Sequence, residues 1–180
     1  MVKFLVDDNF NVKSPEREFG NAGVDFFIPY YNSYFESAFE AKNPAHKAYL
    51  DLDIHTGEHY LVIAPHGDAN IPSGVRSRLS ANIALEAQNK SGVAAKYKLV
   101  YGASTVDANY QGIIHCHVIN TTGSEVRIPL GSKIVQFIPR FIDISPIEVY
   151  RSSETTYDEF YKNFEFSNRK DGAFGSTGTK

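Results

Sequence analysis

The segment Arg169-Lys170-Asp171-Gly172-Ala173-Phe174-Gly175-Ser176-Thr177-Gly178 sets one aromatic side chain in a run of glycines and hydroxyls, behind an arginine. Its glycines let the backbone bend through positive φ and approach a ligand closely. Successive N–H groups in such a bend form a concave anion site, to which Ser176 and Thr177 add hydroxyl donors. Arg169 can grip a phosphate through two parallel hydrogen bonds. Phe174 can lie flat over a nucleobase. The same composition also suits a free Gly/Ser tail.

Four other segments carry groups of the same kind. Between two apolar runs lies Tyr101-Gly102-Ala103-Ser104-Thr105-Val106-Asp107-Ala108-Asn109-Tyr110-Gln111-Gly112, which is expected to form a hairpin or tight loop. There Asp107 can serve as a base that activates water beside a sugar stacked on an aromatic, or simply as a turn-former. Asn89-Lys90-Ser91-Gly92-Val93-Ala94 offers a hydroxyl and a glycine where a phosphate could meet a helix N-terminus. Ala22-Gly23-Val24-Asp25-Phe26 leads an acidic residue into a strand, and Ile134-Val135-Gln136-Phe137-Ile138 carries one amide in an apolar strand. Gln136 is open to two readings, a ligand contact or a hydrogen-bonded core group.

Strands must position these groups. Val2–Val6, Val24–Ile28, Tyr60–Ala64, Ile83–Ala87, Ile113–Ile119, Val126–Ile128, Lys133–Ile138 and Ile147–Tyr150 are short and rich in β-branched or aromatic residues, with turn formers between them. Many short strands at this spacing predict a sandwich or barrel. Two stretches depart from that rhythm. Phe35, Ala38 and Phe39 fall at helical spacing, with Ser33 and Glu36 placed as a capping box and Asn43-Pro44 as a stop. Tyr157, Phe160, Tyr161 and Phe164 repeat the helical period behind Thr156 and Glu159, a second capping box. Both stripes are expected as docking faces of helices inserted into the β scaffold, within 30–56 and 155–164.

Length and charge narrow the classes. The 180 residues suit one domain, with 42% hydrophobic and 22% charged residues. A net charge of −3 gives no basic surface for nucleic acid, so an anion must be held by local donors or a metal. The single cysteine, Cys116, excludes an internal disulfide and suits a reducing cytoplasm. The apolar patch at the N-terminus is too short for a secretory signal, and no run reaches membrane-span length.

Taken in order, the five segments resemble the five motifs of the trimeric dUTPase family. Ala22-Gly23-Val24-Asp25 is similar to the first, Lys90-Ser91-Gly92-Val93-Ala94 to the second and Ser104 through Gly112 to the third. Gly131-Ser132-Lys133-Ile134-Val135-Gln136 is similar to the fourth and the glycine-rich tail to the fifth, while Ile71-Pro72-Ser73-Gly74-Val75 matches the usual run-in to the second. The resemblance implies an all-β fold, a distorted jelly-roll-like barrel, spanning 1–166 and followed by a flexible tail, 167–180. It implies a homotrimer with sites at subunit boundaries, and hydrolysis of dUTP to dUMP and pyrophosphate with Mg²⁺. By that match Asp107 orients and deprotonates the attacking water, and Tyr110 packs under the deoxyribose. Ser91 donates to the bridging region of the triphosphate, Gln136 supports the phosphate and metal network, and Asp25 reaches the hydrated metal through water. Arg169 meets the γ-phosphate and Phe174 stacks on uracil. Lys90, Gly92, Ser104, Val106, Gly175, Ser176 and Thr177 complete the implied substrate contacts.

This chain also departs from the family pattern. Lys90 stands where arginine is usual and lacks its bidentate fork. Tyr101, Ala103 and Ser104 replace an asparagine and a Pro-Gly pair in the loop whose backbone reads the base, and Ala173 replaces a glycine. Two alternatives share the fold. A dCTP deaminase needs a glutamate where this chain has His117. A nucleotide-binding regulator would have no need for Asp107. A metal site on His115, Cys116 and His117 is excluded, since adjacent strand residues point to opposite faces.

Overall fold

The structure, a computed structural model, describes residues 1–44, 47–151, 153–160 and 162. The chain divides into two units, Met1–Ile144 and a second that begins at Ser145. The first contains β1 (Val2–Val6), β2 (Val24–Phe27), α1 (Ser33–Glu40), β3 (Ala48–Leu52), β4 (His59–Ile63), β5 (Asp68–Pro72) and β6 (Val75–Leu79). It continues with β7 (Ile83–Asn89), α2 (Ser91–Tyr97), β8 (Leu99–Tyr101), β9 (Thr105–Val106), β10 (His115–Asn120), β11 (Val126–Pro129) and β12 (Lys133–Phe141). The second unit contains α3 (Tyr157–Phe160).

The strands pair antiparallel in four sheets, ordered β1-β6, β5-β10-β8, β11-β4-β3 and β2-β12-β7-β9. The mostly β fold is the expected one. Strict alternation gives β10 and β11 one buried face each. In β10, Cys116, Val118 and Asn120 turn inward, while His115, His117 and Ile119 stay half-exposed. The core gathers on Phe26, whose ring meets Phe4 at 5.5 Å and Phe137 at 4.8 Å between centroids, both edge-on. Phe35 and Phe39, one turn apart on α1, join it fully buried. Removing each such ring from water contributes about 2–3 kcal/mol.

Several sequence expectations change. The residues of Ile147–Tyr150 form no strand; a strand is defined by its ladder of hydrogen bonds to a partner, which residue type by itself does not supply. Tyr101–Gly112 is not a hairpin, because β8 pairs with β10 whereas β9 pairs with β7. The loop between them changes sheets. β3, β5, β6, β8 and β9 were not anticipated, being short or carrying polar residues on their outward faces. Helix α1 begins one residue early: extended Asn32 accepts from the Phe35 N–H at 2.8 Å, and Glu36 accepts from the Tyr31 hydroxyl instead of closing a capping box. Asparagine is at least as good an N-cap as serine. The second capping box does form, Thr156 N–H donating to Glu159 at 3.0 Å and Glu159 N–H to Thr156 Oγ1 at 3.3 Å. Phe160 packs edge-on to Tyr150 within its own unit, while Tyr161, Phe164 and the 166/167 boundary lie outside the described residues.

Candidate active site

Two groups of side chains hold the residues singled out in the sequence. The first lines a cavity of about 180 Å³ formed by Ala103, Ser104, Thr105, Val106, Asp107 and Tyr110, backed by Ile114, His115 and Phe137. Strand β9 fixes its floor. Val106 registers with Leu85, Thr105 with Glu86, and Ala87 N–H donates to Ser104 O at 2.6 Å. The chain then turns: Tyr110 N–H donates to Asp107 O at 3.1 Å. A turn of that size brings residues three apart to one side, so Asp107 and Tyr110 share the cavity. The Tyr110 hydroxyl is anchored on Ile113 O at 2.9 Å, which leaves the ring 41% exposed and able to take a planar or sugar surface. His115 was not foreseen here. Burial, and then the charge of Lys42, holds its pKa below the usual histidine range, so it faces the cavity as a neutral imidazole.

The second group is charged. Lys90 Nζ lies 2.7 Å from Asp25 Oδ1 and Lys133 Nζ lies 3.0 Å from Asp25 Oδ2, Lys133 also pairing with Glu16. Burial alone would raise the Asp25 carboxyl, but hydrogen bonds and charge from the two lysines outweigh it and hold its pKa below the usual carboxylate range. The bonds that Lys133 donates to Glu16 and Asp25 raise its own pKa. Ser91 and Gly92 open α2 in exposed positions, behind Lys90 at the N-cap, whose side chain is turned to Asp25 and makes no capping bond to the helix's first N–H groups.

A bulge in β12 brings the fourth segment to Asp25. The register with β2 shifts between Lys133 and Val135, burying both Ile134 and Val135 and leaving Lys133 and Gln136 half-exposed. In a regular strand residues three apart face opposite ways; the bulge cancels that. Gln136 registers with Asp25 and lies so close over Gly23 that a Cβ there would overlap its Oε1. Its amide donates to Asn89 O at 3.0 Å, while Asn89 Oδ1 accepts from Tyr101 N–H at 2.9 Å. Asn89 thus ties the charged group to the start of the cavity loop. Lys133 and Asn89 each sit inside a quoted motif, but nothing in their spacing reveals these partners. Arg169, Phe174, Gly175, Ser176 and Thr177 lie outside the described residues.

A family model described as dUTPase matches residues 38–178. The chain belongs to the dUTPase family. Among curated relatives, the deoxyuridine 5'-triphosphate nucleotidohydrolase of Picosynechococcus is 29% identical over 139 residues, 74% of this chain and 87% of that protein. Among solved structures, the dUTPase of Staphylococcus bacteriophage 80alpha with dUpNHpp superposes with a TM-score of 0.69 over 99% of both chains at 18% identity. The dUTPase of phage phi11 of S. aureus, which coordinates a structural Mg(II) ion, gives 0.60 at 18% identity over 83% of this chain and 96% of that one. These likenesses show the dUTPase fold. Within this dUTPase frame, the third segment builds the cavity, and the first, second and fourth build the charged group.

Proposed function

We propose that the chain is a dUTP diphosphatase that hydrolyses dUTP to dUMP and pyrophosphate. The observation that carries this is the placement of Asp107 and Tyr110 in one cavity of a chain matched to the dUTPase family over 38–178. In this reading the uracil and deoxyribose enter the cavity, the sugar lying on Tyr110 with no room for a 2′-hydroxyl. Asp107 is exposed and accepts a proton from water as the water oxygen bonds to the α-phosphorus. The α–β bridging oxygen then leaves with pyrophosphate. Lys90, Ser91, Gly92 and Gln136 meet the triphosphate, with Ser104 and Val106 at the base. Arg169, Phe174, Gly175, Ser176 and Thr177 supply the remaining contacts, following the family pattern of the tail.

The residues present fit a substrate-borne Mg²⁺. Among the described residues no three His, Cys, Asp or Glu side chains gather into a metal-holding group, and both Asp25 oxygens already accept from ammonium groups. Mg²⁺ favours phosphate oxygens and retained waters over an all-protein cage. Asp25 and Gln136 would meet those waters, and the ion would neutralise charge on the phosphates. We further propose a cytoplasmic homotrimer; among the described residues no helix is long and apolar enough to cross a membrane.

The test is pyrophosphate release from dUTP, dTTP, dCTP and UTP with Mg²⁺. Turnover of dUTP well above the other three is expected, because a 5-methyl group would press on the Ala103–Val106 wall and a ribose on Tyr110. Tight binding of a non-hydrolysable dUTP analogue without any turnover would instead mark a nucleotide-binding regulator.

A further inference from the structure

The loop joining β8 to β9 leaves one sheet for another, and the side chain that meets its backbone comes from a third strand. Gly102 N–H donates to His117 O at 2.8 Å, and Ala103 N–H donates to His117 Nδ1 at 3.1 Å. A Cβ on Gly102 would overlap that same nitrogen, so the imidazole packs directly against the loop. The other ring nitrogen, Nε2, lies 3.1 Å from Asp68 Oδ2 on β5. An imidazole accepting at Nδ1 carries its proton on Nε2, where a carboxylate can take it. One tautomer therefore satisfies both contacts, and Asp68, whose other oxygen lies 3.7 Å from Lys47, selects it. His117 does not line the cavity, but Ala103 and Ser104 do.

We propose that His117, held by Asp68, is a positioning residue that sets base selectivity, clamping the Gly102-Ala103 backbone that begins the cavity wall. The proposal rests on the reading of that cavity as the pyrimidine pocket. It also explains how the wall keeps its shape with Ala103 and Ser104, neither of which stiffens a loop as proline does. Asp107 is placed by other means. It follows β9, which β7 holds through Leu85–Val106, Glu86–Thr105 and the bond from Ala87 N–H to Ser104 O. Loosening residues 102–103 should therefore disturb base binding and leave the chemical step in place.

The test compares His117→Leu, which fills the space without an acceptor, with His117→Asn, whose amide oxygen can occupy the Nδ1 position. Gly102→Ala, whose Cβ pushes the ring away at Nδ1, is the third variant. KM and kcat are measured for dUTP and dCTP, with thermal melting to confirm folding. Losing one hydrogen bond of this kind changes affinity about three- to tenfold. His117→Leu and Gly102→Ala should raise the KM for dUTP by that factor, lower the kcat/KM preference for dUTP over dCTP, and leave kcat within about twofold. His117→Asn should restore most of the preference. An unchanged preference in His117→Leu, or equal loss of kcat in the Leu and Asn variants, would overturn the proposal. A wild type that turns over no dUTP would sink the functional reading instead; calorimetric binding of dUMP against dCMP then carries the same comparison between wild type and His117→Leu.

Discussion

Asp107 stands exposed at the rim of its cavity with its backbone carbonyl tied into a turn, so its carboxylate is free to take a proton while its position is fixed. Asp107→Asn keeps the shape and removes the acceptor. Its kcat should fall about 10²–10⁴-fold, while calorimetry shows a non-hydrolysable dUTP analogue still binding; near-normal turnover would strip Asp107 of its role. His115 makes a separate prediction. Burial lowers its pKa in the folded chain, so below pH about 6.5 the unfolded chain binds a proton that the folded one declines. Its contribution to stability is present above that value and is lost as the pH falls through the lowered folded value. The melting temperature of the wild type should therefore drop more between pH 7.5 and 5.5 than that of His115→Leu. At this scale the sequence showed Asp107 and Tyr110 together because a turn needs only local spacing. The partners of His117 and Lys133 come from segments distant in the chain, and no local pattern encodes them.

Among the elements, the bulge in β12 and the sheet change between β8 and β9 both escaped a reading based on alternation. A bulge inserts one residue against a partner that only the fold supplies, and a loop between apolar runs resembles a hairpin until the partners of each strand are known. The helix periods in 33–40 and the cap at Thr156 were legible because both signals are local. The end of β10 shows how polar groups lock elements together. Asn120, 1% exposed, donates to Ile63 O, Ala64 O and Ser124 O at 3.3, 2.9 and 2.8 Å and accepts from Thr122 N–H at 2.9 Å. Asn120→Ala takes the side-chain donor away from those three carbonyls, that of buried Ile63 among them, and the acceptor from Thr122 N–H. It should cost about 2–3 kcal/mol, measurable as a lower urea midpoint with an unchanged m-value; a shift below about 0.5 kcal/mol would show that water replaces the amide.

For the whole molecule, composition and short strands sufficed for a mostly β fold, and the ordered motifs for the family. The division into four sheets did not show, because strand order depends on pairing between segments far apart in sequence. Sharing of sites between subunits is tested by mixing Asp107→Asn chains with chains truncated after Asn168. Each parent should be nearly inactive. In a closed three-fold ring with cyclic sharing, every mixed trimer regains one site. Random equal mixing makes about three-quarters of trimers mixed, and activity should return to roughly a quarter of wild type. Mixtures as dead as their parents would mean that each chain completes its own site.

Cys116 is sealed on the inward face of β10 between two histidines that point the other way, and burial pushes its thiol up to about 12. Thiol reagents attack the thiolate, so the folded chain should be nearly inert to them at neutral pH. Being the only cysteine, it turns labelling into a clock for the opening of the β5-β10-β8 sheet: the slower the reaction relative to unfolded chain, the larger the free energy of opening. A nucleotide that binds only the closed form should slow the clock in proportion to its occupancy. Rapid labelling of the native chain would show that β10 detaches without global unfolding.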